Sequence, residues 1–325
     1  MATKRFIVYG AGAVGGSLGG LLHRAGHEVV LIARGPHLDA IRADGLRLVT
    51  GDGAESLPIE AVASPAELDS APGDVVLLAM KSMNTEAALR DLAAVVDPAT
   101  PIVCVQNGVA NERAALRLFP NVYGVCVMFP STHLEPGVVE PYAWPVPAIL
   151  DLGRYPAGVD ETAESIAAAF RSAGCQSEPR ADVMRWKYHK LLMNLGNAID
   201  ATVQPGDGVA ELLELAQAEG MKVLDAAGIP FVSPAEDRAR RGDILKIDSA
   251  RRSGSSSWQS LARGTGTIET DYLNGEIVLL GRLHGVPTPV NERIHLLANS
   301  FARDGRAPGS LAANDLLAAL DRPVL

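Results

Sequence analysis

The chain has 325 residues, of which 47% are hydrophobic and 21% charged, so it is too long for one ordinary core, suits two domains, and excludes a largely disordered protein. A formal net charge of −9 argues against a nucleic-acid partner, because the basic pairs Arg240-Arg241 and Arg251-Arg252 read as solvated surface. No apolar run approaches the roughly 20 residues that a membrane span needs, and Cys104, Cys126 and Cys175 form no Cys-x-x-Cys pair, so a cytoplasmic protein with no membrane partner is expected.

Up to about residue 150, short apolar runs alternate with helical stretches, the pattern of a parallel sheet with crossover helices. Strands are expected at 6–9, 28–32, 75–79, 102–105 and 122–128. Pro141, Pro145, Pro147 and Pro156 then suit an edge strand and a linker, with a boundary near 155–180. Beyond Asp160 the β-like runs give way to amphipathic helices expected at 162–172, 183–197, 209–226, 267–283 and 292–302. The spacing of His23 and His27 would suit a metal, but Gly26 between them reads as a helix end, and no metal site is expected.

Gly10-Ala11-Gly12-Ala13-Val14-Gly15 follows the first strand and opens an apolar helix. Gly10 permits a tight turn, Gly12 a close approach of backbone to a pyrophosphate, and Gly15 close packing of helix on strand. A helix start supplies N–H groups to the anion, so the whole loop is read as dinucleotide-binding. The fold class that follows is α/β: a Rossmann-type, dinucleotide-binding parallel-sheet domain over 1–165 and an all-helical C-terminal domain over 166–325. Gly15-Gly16-Ser17-Leu18-Gly19 also fits a serine-hydrolase pattern, but a serine inside a helix lacks the strained elbow, and Ser17 is read as structural.

Where an NAD-binding unit presents a carboxylate to the ribose, this chain has Arg34. A guanidinium there attracts a 2′-phosphate, so NADPH is the expected cofactor. Lys81 and Asn107 follow the third and fourth expected strands, at the strand ends where α/β sheets place ligands. Lys81 could meet an anion or the ribose, and Asn107 could bond a ribose or substrate hydroxyl. In the expected helix 183–197, Lys190, Asn194 and Asn197 fall within roughly a 60° sector. Leu191, Leu192, Met193 and Leu195 make that helix apolar for a surface position. A desolvated lysine there could donate a proton.

Taken in order, the glycine loop, Lys81, Asn107-Gly108, Lys190-Leu191-Leu192-Met193-Asn194, the serines before Trp258-Gln259, and Glu269-Thr270-Asp271-Tyr272-Leu273-Asn274-Gly275 resemble the ketopantoate reductase (2-dehydropantoate 2-reductase) family over nearly the whole chain. The resemblance implies NADPH-dependent reduction of a small 2-keto acid to a 2-hydroxy acid, with ketopantoate to pantoate as the reference reaction of pantothenate biosynthesis. It maps the catalytic lysine to Lys190, a substrate-contacting glutamate to Glu269 and a carboxylate-binding serine to Ser256, with Ser255 and Ser257 as rivals. Asn107, Asn194 and Asn197 complete the expected substrate contacts, and a homodimer is among the expectations. Lys187 reads as a flanking charge because the matching asparagine is absent downstream of it.

Two departures lie on the expected substrate side. Ala198 stands where the family often carries a second asparagine, and one extra residue falls near Gly264-Thr265-Gly266-Thr267. The rival readings are another Rossmann-plus-helical dehydrogenase, acting on a hydroxy acid, a polyol phosphate or an opine, and a non-catalytic NADP-binding regulator.

Overall fold

The computed structural model describes residues 5–247 and 254–320; Arg251 and Arg252 lie outside the described residues. The chain divides into two compact units, one formed by 1–187 with 233–252 and the other by 188–232 with 253–325.

The first unit is built on a seven-stranded sheet. In chain order its elements are β1 (Arg5–Tyr9), α1 (Ala13–Arg24), β2 (Glu28–Ile32), α2 (Gly35–Asp44), β3 (Leu46–Thr50), β4 (Gly53–Leu57), β5 (Glu60–Val62), β6 (Val75–Leu78), α3 (Thr85–Ala93), β7 (Ile102–Cys104), α4 (Asn111–Leu116) and β8 (Val122–Met128). There follow β9 (Ser131–Thr132), β10 (Val138–Pro141), β11 (Ala143–Pro145), β12 (Ile149–Arg154) and α5 (Glu161–Ser172). The strand order is β12-β8-β7-β6-β1-β2-β5. All pairings in it are parallel except β12 against β8. Chain direction along the sheet reverses at β1, and a crevice at such a switch point is where open α/β sheets bind ligands. Apolar clusters cover both faces, which explains why the central strands read as unbroken runs rather than alternating ones.

A second, four-stranded sheet in the order β4-β3-β10-β9 was not foreseen. It accounts for the glycine content of α1. A Cβ on Gly15 or Gly19 would strike the main sheet, 2.7 Å from Ala79 Cβ and 2.7 Å from Leu31 Cδ2 respectively. On Gly16 or Gly20 it would press on the small sheet, 2.7 Å from Val139 Cγ1 and 3.4 Å from Leu46 Cδ2. The helix is thus thinned on two faces at i, i+4 spacing so that two sheets can close on it, at the expense of helix propensity. Ser17 sits inside this helix, fully buried.

Within the same unit the segment 233–247 adds α9 (Pro234–Arg241) and β13 (Leu245–Ile247), the latter an antiparallel partner of β11. Arg240 grips Asp151 of β12 through two bonds, Nη2 to Oδ1 at 2.7 Å and Nε to Oδ2 at 2.8 Å, and Arg180 Nε adds a third at 2.7 Å. Burial alone would raise the Asp151 carboxyl, but the bonds from Arg240 and Arg180 hold it below the usual carboxylate range.

The boundary between the units falls within α6 (Val183–Asn194), after Lys187. The second unit continues with α7 (Gly196–Thr202), α8 (Val209–Ala226), α10 (Ser256–Ala262), α11 (Asn274–His284), α12 (Pro289–Arg303) and α13 (Ala313–Leu320). Two expected helices are broken. The one over 183–197 is interrupted at Leu195, and the one over 267–283 opens as a 3-10 turn, Glu269–Tyr272, and restarts after Leu273. One side chain serves both breaks: fully buried Asn274, at the start of α11, donates from Nδ2 to Leu195 O at 3.2 Å and to Asn291 Oδ1 at 3.1 Å. Apolar periodicity continues across such a break, so the pattern does not reveal it.

Candidate functional site

At the C-terminal ends of β1 and β2 lies a cleft of about 290 Å³ lined by Gly10, Gly12, Arg34, His37, Met80 and His133, among others. Its floor is the glycine loop. Gly10 adopts φ +99°, and a Cβ there would meet Met80 N at 2.6 Å, so the first glycine is demanded by both conformation and space. Gly15 is demanded by packing, since its Cβ would lie 2.2 Å from Gly10 O. Gly12 differs from both: its φ is −71° and a Cβ would meet nothing within 4 Å. The space above it is open. Gly12 is also the N-cap of α1, and no side chain caps that helix. Ala11, Ala13 and Val14 complete the loop, Ala13 and Val14 lying in the helix's first turn.

Arg34 ends the second strand region as the N-cap of α2, another helix start without a side-chain cap. Its Nη2 donates to Tyr9 Oη at 3.2 Å, which holds an otherwise exposed guanidinium at the cleft. Behind it stands His37, a residue that sequence reasoning passed over. The Gly137 N–H donates to His37 Nδ1 at 2.8 Å, so the ring proton is on Nε2, which donates to Ala11 O at 2.7 Å. Burial, then the neighbouring His133 ring 4.1 Å away, push the His37 pKa down to about 4 against the raising effect of the Ala11 bond. A neutral histidine thus latches the glycine loop to the segment that leads into β10 of the small sheet. Its only sequence signal is a histidine three residues past Arg34, which spacing alone cannot interpret.

The ends of β6 and β7 carry Lys81 and Asn107. Lys81 is the N-cap of a 3-10 turn, Ser82–Asn84. Asn107 follows β7, with Gly108 at φ +78° completing the turn. A buried network supports both segments: Gln106 Nε2 donates to Met80 O and to Thr85 Oγ1, each at 2.8 Å, and Asn111 Nδ2 donates to Ser82 Oγ and to Asn107 O, each at 3.1 Å.

Lys187 is not a flanking charge. Its ammonium lies 2.8 Å from Glu112 Oε1, with the two side chains 2% and 0% exposed. It also donates to Gln106 O at 2.9 Å and to Val125 O at 3.1 Å. The apolar neighbours that make α6 resemble a core helix carry this lysine inward as well. Glu112 sits on α4, where an exposed helix carboxylate would be the ordinary reading, and nothing in the spacing ties it to Lys187. Burial, and next the Glu112 charge, push the Cys104 thiol well above its ordinary pKa.

In the second unit, Lys190 and Asn194 lie four residues apart on α6, half-buried and buried respectively, while Asn197 falls beyond the Leu195 break on α7. The Asn197 carbonyl accepts from Ser255 Oγ at 3.1 Å. Ser255 is further committed as the N-cap of α10, its Oγ accepting from Trp258 N at 3.2 Å and its N–H donating to Asp200 Oδ2 at 2.7 Å. Ser256 is exposed in the first turn of α10, and Ser257 is 1% exposed. Glu269 opens the 3-10 turn before α11 and is 6% exposed. Ala198 is 1% exposed, in the packed interior. The segment with the extra residue forms the turn that follows α10, with Gly264 and Gly266 at φ +61° and +70°. Among the described residues no group of three or more His, Cys, Asp or Glu side chains could hold a metal ion, and no helix is long and apolar enough to cross a membrane.

A switch-point crevice floored by a glycine loop, in a chain whose other, helical unit bears a lysine and a glutamate, defines a dinucleotide-dependent oxidoreductase class of architecture. Comparison with known proteins makes the class specific. The model of "Ketopantoate reductase PanE/ApbA" matches residues 6–149 and that of its C-terminal domain matches 182–301, so the chain belongs to the ketopantoate reductase family of oxidoreductases. A 2-dehydropantoate 2-reductase of Pyrococcus horikoshii is 32% identical over 296 residues, covering 88% of this chain and 94% of the relative. The crystal structure of a PanE/ApbA family ketopantoate reductase from Ralstonia eutropha JMP134 is 29% identical with a TM-score of 0.77, covering 93% of this chain and 99% of the other. A D-mandelate dehydrogenase in ternary complex with NADH and anilino(oxo)acetate shares the fold, with a TM-score of 0.80 at 22% identity over 93% of this chain and 99% of the other.

Proposed function

We propose that the protein is an NADPH-dependent 2-keto acid reductase, with ketopantoate as its substrate. The observation that carries this reading is the open space over Gly12 at the uncapped start of α1, with Arg34 at the end of the neighbouring strand. The loop fits a pyrophosphate, whose charge would meet the unpaired N–H groups of the helix start. Arg34 would hold the 2′-phosphate, and Lys81 and Asn107 the ribose side. When bound, NADPH supplies the hydride for the carbonyl carbon.

The chain's own residues then bind and protonate. Asn107, Asn194, Asn197 and Ser256 hold the keto acid, Glu269 orients it, and Lys190 delivers a proton to the oxygen as negative charge develops there. Of the neighbouring serines, Ser255 is occupied in capping, which favours Ser256 as the carboxylate contact. A small-molecule substrate, no nucleic acid, a cytoplasmic location and a homodimer belong to the same reading.

The complex of D-mandelate dehydrogenase with NADH brings NADH forward as the alternative cofactor. Titration with both cofactors decides between them. NADPH should bind about one to two decades more tightly than NADH, and Arg34→Ala should erase most of that margin, the value of a charge-assisted contact. Equal dissociation constants in the unmodified protein would refute the cofactor assignment. Turnover tests the chemistry: Lys190→Ala should lower kcat on ketopantoate by about 10²–10⁴-fold while leaving NADPH affinity nearly unchanged. Oxidation of a sugar acid or polyol phosphate with reduction of NADP, and no oxidation of NADPH by any 2-keto acid, would move the protein to the rival class.

A further inference from the structure

The Lys187–Glu112 pair lies outside the residues assigned to binding or proton transfer, yet both of its side chains are buried. Removing both charges from water carries a desolvation penalty that the attraction between them rarely exceeds, and an apolar pair of equal volume commonly serves a fold as well or better. The surrounding chain is nevertheless fitted to it. A Cβ on Gly124 of β8 would come within 3.1 Å of Glu112 Oε1 and 3.3 Å of Lys187 Cδ, so the strand is bare where the pair passes.

The lysine's remaining contacts show what the arrangement fixes. The ammonium donates to two backbone carbonyls, Gln106 O and Val125 O, and Glu112 Oε1 stands 2.8 Å from it as the counter-charge. The two carbonyls belong to neighbouring chain segments, Val125 within β8 and Gln106 just beyond β7. The residue after Gln106 is Asn107, whose own carbonyl accepts from Asn111, the residue next to Glu112 on α4. Two successive carbonyls on the Asn107 turn are therefore held by two side-chain donors, one on α6 and one on α4. The Gln106 side chain anchors the same turn to Met80 O and Thr85 Oγ1.

We propose that Lys187 is a positioning residue: its ammonium, neutralised by Glu112, fixes the backbone at Gln106 and thereby the placement of the Asn107 side chain for cofactor and substrate. This rests on the site reading of Asn107 given above. A carbonyl-binding charge fixes a direction as well as a distance, which an apolar replacement of equal volume cannot do.

The test is a mutant cycle on kcat/KM for NADPH-dependent reduction of ketopantoate. Lys187→Met alone strands a buried carboxylate and endangers folding, so the working variant is Lys187→Met with Glu112→Leu, which keeps volume and removes both charges. With a cooperative thermal melt preserved, this variant should lose about 10-fold to 10²-fold in kcat/KM, the penalty typical of a displaced contact group. Asn107→Ala should lose at least as much, and the triple variant should fall no further than Asn107→Ala, because the pair acts through that side chain. Multiplicative losses in the triple variant would overturn the proposal while leaving Asn107 in the site. Undiminished turnover in the pair variant would do the same. Undiminished turnover in Asn107→Ala would instead overturn the reading of Asn107, and this inference with it.

Discussion

Two places on one sheet, both at the C-terminal ends of its parallel strands, treat their polar groups in opposite ways. At β1 and β2 the helix starts of α1 and α2 have no side-chain caps, and the space over Gly12 is open. At β7 and β8 the carbonyls of Gln106 and Val125 are bound by a buried ammonium, itself paired with a buried carboxylate. The first region leaves donors and room for an anion from outside. The second commits a side-chain donor to its own backbone carbonyls, which holds that backbone in place. A binding crevice on such a sheet needs both, an unfilled part to receive the ligand and a closed part to keep the contact groups still.

The largest effect is expected where the closed region is broken. Lys187→Ala leaves Glu112 charged and unpaired in the interior, and truncating one member of a buried pair destabilises by about 3–5 kcal/mol. Urea unfolding followed by circular dichroism should show the fall in midpoint. Glu112→Leu with Lys187→Met should recover most of that stability. A Lys187→Ala midpoint equal to that of the unmodified protein would mean that the pair is not closed in solution.

The glycine loop offers a narrower contrast within the open region. Gly15→Ala drives a methyl to 2.2 Å from Gly10 O, a backbone atom that cannot swing aside, and overpacking of this kind costs about 1–3 kcal/mol. Gly12→Ala meets no protein atom within 4 Å and has a φ of −71° that alanine adopts freely, so stability should stay within about 0.5 kcal/mol. On the proposed site, NADPH affinity should nonetheless fall, by about tenfold or more, because the methyl would occupy the space proposed for the pyrophosphate. Melting curves and cofactor titration on the two variants separate packing from binding. Unchanged NADPH affinity in Gly12→Ala would place the cofactor elsewhere.

What was legible in the sequence follows the same division. The open region is local: a strand, three glycines and a helix start within ten residues carry their meaning in spacing, and strands 28–32 and 122–128 emerge with the observed limits. The closed region is assembled across distance. Lys187 and Glu112 are 75 positions apart, and each on its own helix looks like an ordinary surface charge. The small sheet escaped notice for a related reason, since Gly53–Leu57 is mostly exposed and has no apolar alternation. In the second unit, helices were legible as periods but their ends were not, because the Leu195 break is stabilised by Asn274 from 79 residues away. Asn197 consequently falls on a different helix from Lys190 and Asn194, and the shared-face geometry drawn from an unbroken helix applies only to the last two.

The smallest expected effect concerns the latch beneath the open region. His37 is neutral, with Nδ1 accepting from Gly137 and Nε2–H donating to Ala11 O, and its pKa of about 4 is below the ordinary 6.5. The unfolded chain therefore takes up a proton on this ring before the folded chain does. Stability from this group is complete above about pH 6.5, falls as the pH drops towards about 4, and levels off below that. His27, whose pKa burial also lowers, contributes in the same direction. A single proton bounds the slope at about 1.4 kcal/mol per pH unit, and the partly solvated ring of His37 should give distinctly less. His37→Gln supplies an amide that can donate and accept but cannot titrate, so its stability at pH 5 relative to pH 7 should decline less than that of the unmodified protein. Urea midpoints at pH 7, 6 and 5 for the two proteins measure the difference, and carboxylate effects common to both cancel in it. Parallel pH profiles would show that the ring titrates normally and that the Gly137 N–H is not bound to it, leaving the glycine loop without its tie to the small sheet.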